Sequence, residues 1–175
     1  LFICDLGLSK KTQDEFIDLM GRMRKNKVSI TYIDHHDIDP NVVTALKKLK
    51  VKVIHDINEC TTVQVYNAYK SKLNDHAPFV ATCAAITDYM EDRPLGSKLL
   101  QIYDRQFALI SATVMTYNIV GHQREPDYLQ YLVEELADSK FPHDIPNTFE
   151  FAQIQVEKLS QMIAKVKKGM KTMTN

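Results

Sequence analysis

Three short apolar runs, each followed by a stretch with helical spacing, constrain this chain more than anything else in it. Residues 1–4 (Leu1-Phe2-Ile3-Cys4), 28–33 (Val28-Ser29-Ile30-Thr31-Tyr32-Ile33) and 51–54 (Val51-Lys52-Val53-Ile54) are short and mostly β-branched or aromatic, so they read as strands. After them, Phe16, Ile17, Leu19 and Met20, then Val42, Val43, Leu46 and Leu49, then Val63, Val65, Tyr66 and Tyr69 recur at helical steps. Ser9, Asp39-Pro40 and Thr61 or Thr62 stand where those helices would be capped, the first helix running over 9–23. Strand and helix alternating through short connections specify right-handed crossovers and a parallel sheet covered on both faces. The expected fold class is α/β, a Rossmann-like parallel sheet with flanking helices, followed by an all-helical C-terminal segment.

From Pro78 the pattern is helical, with helices expected over 78–89, 96–120, 127–137 and 146–169 and breaks at Arg93-Pro94, Gly121 and Phe141-Pro142. In the last of these, Ala152, Val156, Leu159, Ile163, Val166, Met170 and Met173 fall at alternating steps of four and three, a heptad seam. Such a seam belongs to a helix docked on its own domain, or to a connecting rod or partner-binding helix. Lys165, Lys167, Lys168 and Lys171 near its end suit a solvated face and the helix dipole, with a nucleic-acid contact as the lesser alternative. The expected organisation is an α/β domain over 1–92, a helical extension over 93–145 and a long amphipathic helix over 146–175.

Composition sets limits on function. With 175 residues, 45% hydrophobic and 25% charged, the chain has room for one ordinary domain with a helical appendage. No run of 18 apolar residues is present, so a membrane span is not expected. Cys4, Cys60 and Cys83 are odd in number and lack CxxC spacing, which disfavours a disulfide framework and a cysteine zinc site and points to a reduced, cytoplasmic protein. The formal net charge is zero, so contact with nucleic acid would require a local basic patch. A strand at residue 1 with nothing ahead of it raises the expectation of upstream sequence.

The polar residues that end the apolar runs carry the chemistry. Asp34-His35-His36 closes the second strand and is followed by Asp37 and Asp39; Asp5 closes the first; Asp88 follows the apolar run 77–87. A parallel sheet builds its ligand site at the carboxyl ends of its strands. Carboxylates with imidazoles suit Mn²⁺ or Mg²⁺, and a pair of such ions serves phosphoryl displacement. Each residue alone has a plainer reading: Asp5 as a strand terminus, Asp88 as a helix-end polar residue, the two histidines as surface loop. His55-Asp56, after the third strand, reads as a turn cap or as a further ligand or phosphate contact; His76, His122 and His143 carry no functional assignment.

Ile33-Asp34-His35-His36 resembles the signature of the DHH phosphoesterase superfamily, which includes RecJ-type single-strand nucleases, nano-RNases, cyclic-dinucleotide phosphodiesterases and manganese inorganic pyrophosphatases. Ile3-Cys4-Asp5-Leu6-Gly7 is similar to the family's second motif and Ala84-Ala85-Ile86-Thr87-Asp88 to its fourth. The resemblance covers about residues 1–92 and implies a Mn²⁺- or Mg²⁺-dependent phosphodiesterase of RecJ-like kind acting on single-stranded nucleic acid or a nucleotide. It implies Asp5 as the carboxylate bridging two metals, His35 and Asp88 as ligands of the second metal, His36 as the contact to the substrate phosphate, and Asp34 as the partner orienting His35. Thr61-Thr62 resembles the hydroxyl pair that opens the helix after the third strand. The family's first motif, which supplies most ligands of the other metal, and its Gly-rich C-terminal substrate domain have no counterpart in residues 1–175, so an internal piece of a larger enzyme, inactive or weak by itself, is expected. A non-catalytic scaffold in a replication or repair complex, a cyclic-dinucleotide phosphodiesterase and a polyphosphatase or pyrophosphatase are the alternatives. An open sheet edge and the seam helix make a homodimer or a repair-protein partner plausible.

Overall fold

The computed structural model describes residues 1–138 and 140–173, with side chains through residue 169. It is a mixed α/β structure in which the three apolar runs form one parallel sheet in the order β1 (Phe2–Cys4), β2 (Thr31–Asp34), β3 (Lys52–His55). Register places Ile3, Tyr32 and Val53 in one row. That row faces α1 (Gln13–Lys25) and α2 (Pro40–Lys48), whose Phe16, Met20, Val42 and Leu46 close a core with Ile30 and Val51. Two right-handed crossovers that move in the same direction must lie on the same face, as α1 and α2 do. The alternate β2 residues Thr31 and Ile33 face α3 (Thr61–Tyr69), which packs on β2. Covering α3 are α4 (Ala77–Thr87) and α5 (Pro94–Leu100), through Val63, Ala81, Ala85 and Leu99. At its far end Tyr69 meets Phe2 edge-on at 5.6 Å and accepts the Lys52 ammonium over its ring.

Several boundaries differ from the sequence expectation for local reasons. Ser9 does not cap the first helix: its carbonyl accepts from Thr12 and Gln13 in a turn, and α1 starts at Gln13. Asp39 does cap α2, accepting the Asn41 N–H at 2.8 Å ahead of Pro40. The single helix expected over 96–120 is two, α5 and α6 (Arg105–Gly121), because Asp104 caps a new helix by accepting the Phe107 N–H at 2.8 Å. By packing, the chain divides into two compact units, Leu1–Tyr103 and Asp104–Asn175. What holds α5 in the first unit is Glu59, 3% exposed, whose two carboxylate oxygens accept the Leu95 N–H at 2.6 Å and the Gly96 N–H at 3.1 Å. Gly96 is required there, since a Cβ would stand 2.6 Å from the Met90 carbonyl oxygen.

The second unit consists of α6, α7 (Pro126–Ala137), a single 3-10 turn at Pro142–Asp144 and α8 (Thr148–Met173). Met115, Leu132 and Ile145 form its core. Asn118, fully buried, joins three segments: its amide donates to Val114 O and Thr148 O, both at 2.8 Å, and its oxygen accepts the Tyr128 hydroxyl at 2.7 Å. The Thr148 hydroxyl closes the start of α8 on the Pro142 and Ile145 carbonyls. Of the heptad seam, only Ala152 is buried; Val156, Leu159, Ile163 and Val166 are 40–56% exposed, so the seam is covered at its first turn alone. Met170, Met173 and Lys171 lie outside the residues whose side chains are described. No described helix is long and apolar enough to cross a membrane.

All three cysteines are free. Burial pushes the Cys60 thiol up to about 11 and the Cys83 thiol up to about 12, whereas Cys4 is exposed. Thiolate is the reactive form, so Ellman's reagent at pH 8 is expected to titrate one thiol rapidly in the native protein and three after denaturation. Two or three fast native thiols would contradict this packing. Because the folded state holds these protons to higher pH than the unfolded chain does, stability falls as pH rises above the ordinary thiol range.

Candidate metal centre

The site is built where β1 and β2 end. Asp5 leaves β1 with φ 57°, in the left-handed region that Asp tolerates better than most residues, while its N–H still donates to Ile33 O at 3.0 Å as if the ladder continued. The next residues are held by the neighbouring strand, since the Tyr32 hydroxyl donates to Leu6 O at 2.8 Å. Burial first, and the nearby Asp34 charge second, push that hydroxyl's pKa up. Gly7 lies close against the His36 ring: a Cβ there would stand 3.2 Å from it, so a larger residue would press on the ring.

Asp5, His35 and His36 then converge, each offering a ligand atom within 4.8 Å of the others. His35 Nε2 is 3.6 Å and His36 Nδ1 4.0 Å from Asp5 Oδ1. Neither is a hydrogen bond. Asp34 is fully buried and its Oδ1 accepts both the His36 N–H at 2.6 Å and the His36 ring at 2.9 Å. Since that oxygen acts as an acceptor, His36 Nδ1 carries the proton and Nε2 is the outward nitrogen. Asp34 therefore orients His36 and not His35, contrary to the role that the family resemblance implied. The reason is an Asx turn: β2 ends at Asp34, whose side chain accepts from the backbone N–H two residues on and so gathers the His36 ring. His35 Nδ1 is buried without a hydrogen-bond partner.

Asp88 follows α4 directly and lies outside the three-residue group. Its carboxyl is nevertheless within their electrostatic reach: burial raises its pKa, His35 lowers it, Asp5 raises it and His36 lowers it. The residue after it, Tyr89, is 88% exposed with φ 56°.

Three residues support the site through contacts that local sequence reading does not show, and one of them, Gln64, carries no signal in the sequence at all. Thr61 is more than a helix start: Cys60 occupies the N-cap, and the Thr61 hydroxyl donates to Asp5 Oδ1 at 2.9 Å across 56 residues. One turn on, the buried Gln64 amide nitrogen lies 3.1 Å from Asp34 O, 2.8 Å from Asp56 O and 2.8 Å from Glu59 O. Its two hydrogens are shared among three carbonyls, which ties the ends of β2 and β3 to α3. His55 Nε2 donates to His36 O at 2.7 Å and so holds the loop after β2, while Asp56 accepts from Asn58 in a turn, the plainer of its two readings.

The other histidines are occupied in packing. His76 precedes α4 with its ring 5.4 Å from Phe79, His122 stacks on Tyr128 at 3.9 Å, and His143 stacks on Phe141 at 5.7 Å.

The donor set, a carboxylate oxygen with imidazole nitrogen and a second carboxyl nearby, fits a divalent ion of the Mn²⁺ or Mg²⁺ kind. Two features limit the affinity of such a site: His36 Nδ1 is committed to Asp34, and His35 lacks the hydrogen bond that normally orients a ligating imidazole. No family model, curated protein or solved structure matches the chain.

Proposed function

We propose that this chain carries part of the active centre of a metal-dependent phosphodiesterase of the DHH type, on a Rossmann-like sheet, acting on single-stranded nucleic acid or a nucleotide. The convergence of Asp5, His35 and His36 at the carboxyl edge of a parallel sheet carries this reading. Asp5 and His35, with the Asp88 carboxyl in electrostatic reach, would hold a divalent ion, which would supply charge to a phosphoryl oxygen and lower the pKa of water. The chain's own residues do the rest. Thr61 fixes one oxygen of Asp5. Asp34 holds the half-exposed His36 ring by Nδ1, which leaves Nε2 to donate to the substrate phosphate as charge develops once the ring carries both protons. The three free cysteines accord with a reduced, cytoplasmic setting.

The scaffold alternative is weaker on these observations, because the exposed Asp5 carboxylate converging with two imidazoles serves no packing purpose. The expected result is hydrolysis of a single-stranded oligonucleotide, or of bis-p-nitrophenyl phosphate, that requires Mn²⁺ or Mg²⁺, stops with chelator and disappears in Asp5→Ala. The assay uses the protein as its gene encodes it. Hydrolysis indifferent to chelator and to Asp5→Ala would overturn the assignment.

A further inference from the structure

The opposite edge of the same sheet carries a second charged feature. Both helices on the first face end there, α1 at Lys25 and α2 at Lys48. Arg22, Lys25, Lys27, Lys47, Lys48 and Lys50 are exposed around those ends, and none is in an ion pair among the described residues. The acids of the segment 22–52, Asp34, Asp37 and Asp39, all sit at the other end, beside the candidate metal centre. In a chain of zero net charge this is a strong segregation.

The ends are also fixed relative to each other. The Arg24 guanidinium donates to Leu49 O at 3.1 Å and to Val28 O at 2.6 Å, joining the C-cap of α2 to the turn after α1. Between the helices runs a groove of about 460 Å³ with Gly21 in its wall and Arg22, Lys25 and Lys48 along it, Asp18 being its one acid. Lys27 and Lys50 follow their helices with φ 61° and 59°. That is the position at which glycine normally ends a helix, yet at both a cation stands instead. Helix-dipole stabilisation accounts for basic residues in a last turn, but not for cations beyond the end in a strained conformation.

We propose that this surface binds the phosphate backbone of single-stranded nucleic acid. The choice of nucleic acid among polyanions rests on the phosphodiesterase reading above. No aromatic side chain lines the groove, so the contact is to phosphate and indifferent to base. Leu19 is the one exposed large apolar residue between 13 and 52, which leaves nothing to insert into a lipid surface. Strands of four residues separate this edge from the candidate metal centre by roughly 13 Å, a gap that a flexible single strand crosses in a few nucleotides.

The test is fluorescence anisotropy of a labelled oligothymidylate in chelator, over a range of NaCl concentrations. Contact with about four phosphates gives a slope of log K against log salt near ~−3. The triple variant Arg22→Glu/Lys25→Glu/Lys48→Glu is expected to weaken binding at least about tenfold and flatten that slope, whereas Lys158→Glu/Lys165→Glu/Lys167→Glu, with the same change in charge, leaves both as they were. A second variant, Lys27→Gly/Lys50→Gly, keeps or raises the melting temperature by relieving the left-handed backbone while weakening the oligonucleotide. Equal loss in both triple variants, unchanged binding in the patch variants, or patch-dependent binding to phosphatidylserine vesicles without binding to the oligonucleotide would each overturn the proposal. Binding is read without hydrolysis and persists in Asp5→Ala, so failure of the phosphodiesterase reading registers separately.

Discussion

Glu59→Ala is expected to lower the melting temperature of the first unit by roughly 15 °C. The carboxylate is buried and accepts two backbone N–H groups at the start of α5. Removing it strands both donors under protein, at about 1–3 kcal/mol each, and takes negative charge away from the N-terminal end of a helix. A total near ~4 kcal/mol is a large part of the stability of a domain this size. Glu59→Gln should fall between, because it keeps one acceptor and turns an NH₂ toward the other N–H. The loss extends toward the site: α5 covers Cys60 and Val63 through Leu99 and Leu95, and α3 carries Thr61 and Gln64. Cys60 should therefore become reactive to Ellman's reagent in Glu59→Ala at temperatures where the parent protects it. An unchanged melting curve by circular dichroism would show that Glu59 is not the tie between α5 and the sheet domain.

Glu59 also illustrates what sequence can and cannot reveal here. The strands were legible because their composition and length differ from the helical stretches around them, and Asp39-Pro40 because a cap and its helix are adjacent. Asp5, His35 and His36 were legible as residues that punctuate apolar runs, and the parallel sheet makes such punctuation converge. Glu59, Thr61 and Gln64 act on partners 36, 56 and 30 residues away, and no local pattern marks a hydrogen bond of that range. The start of α6 was hidden because an Asp cap can interrupt an apolar pattern without breaking its period. The partner of Asp34, by contrast, was available in principle. An Asp side chain after a strand commonly accepts from the backbone N–H two residues on, and that local habit favours His36 over His35.

That geometry assigns the two histidines different work, and the difference is measurable. Titration calorimetry of this chain with Mn²⁺ is expected to show at most one weak site, because His36 Nδ1 is already bonded to Asp34. His35→Ala should abolish that heat, as its Nε2 is the imidazole nitrogen facing Asp5 at 3.6 Å without another partner. His36→Ala should leave it nearly intact. In the oligonucleotide hydrolysis assay, the order reverses in kind. His36→Ala lowers kcat by about 10²–10³ at saturating Mn²⁺, as removal of a donor to developing charge does, whereas His35→Ala is partly rescued by raising Mn²⁺. Asp34→Asn should resemble a mild His36→Ala, since the amide oxygen still accepts from the ring but without the charge that strengthens that hydrogen bond. Equal losses of Mn²⁺ affinity in the two histidine variants would mean that His36 leaves Asp34 to become a ligand, and the separation of roles would fall with it.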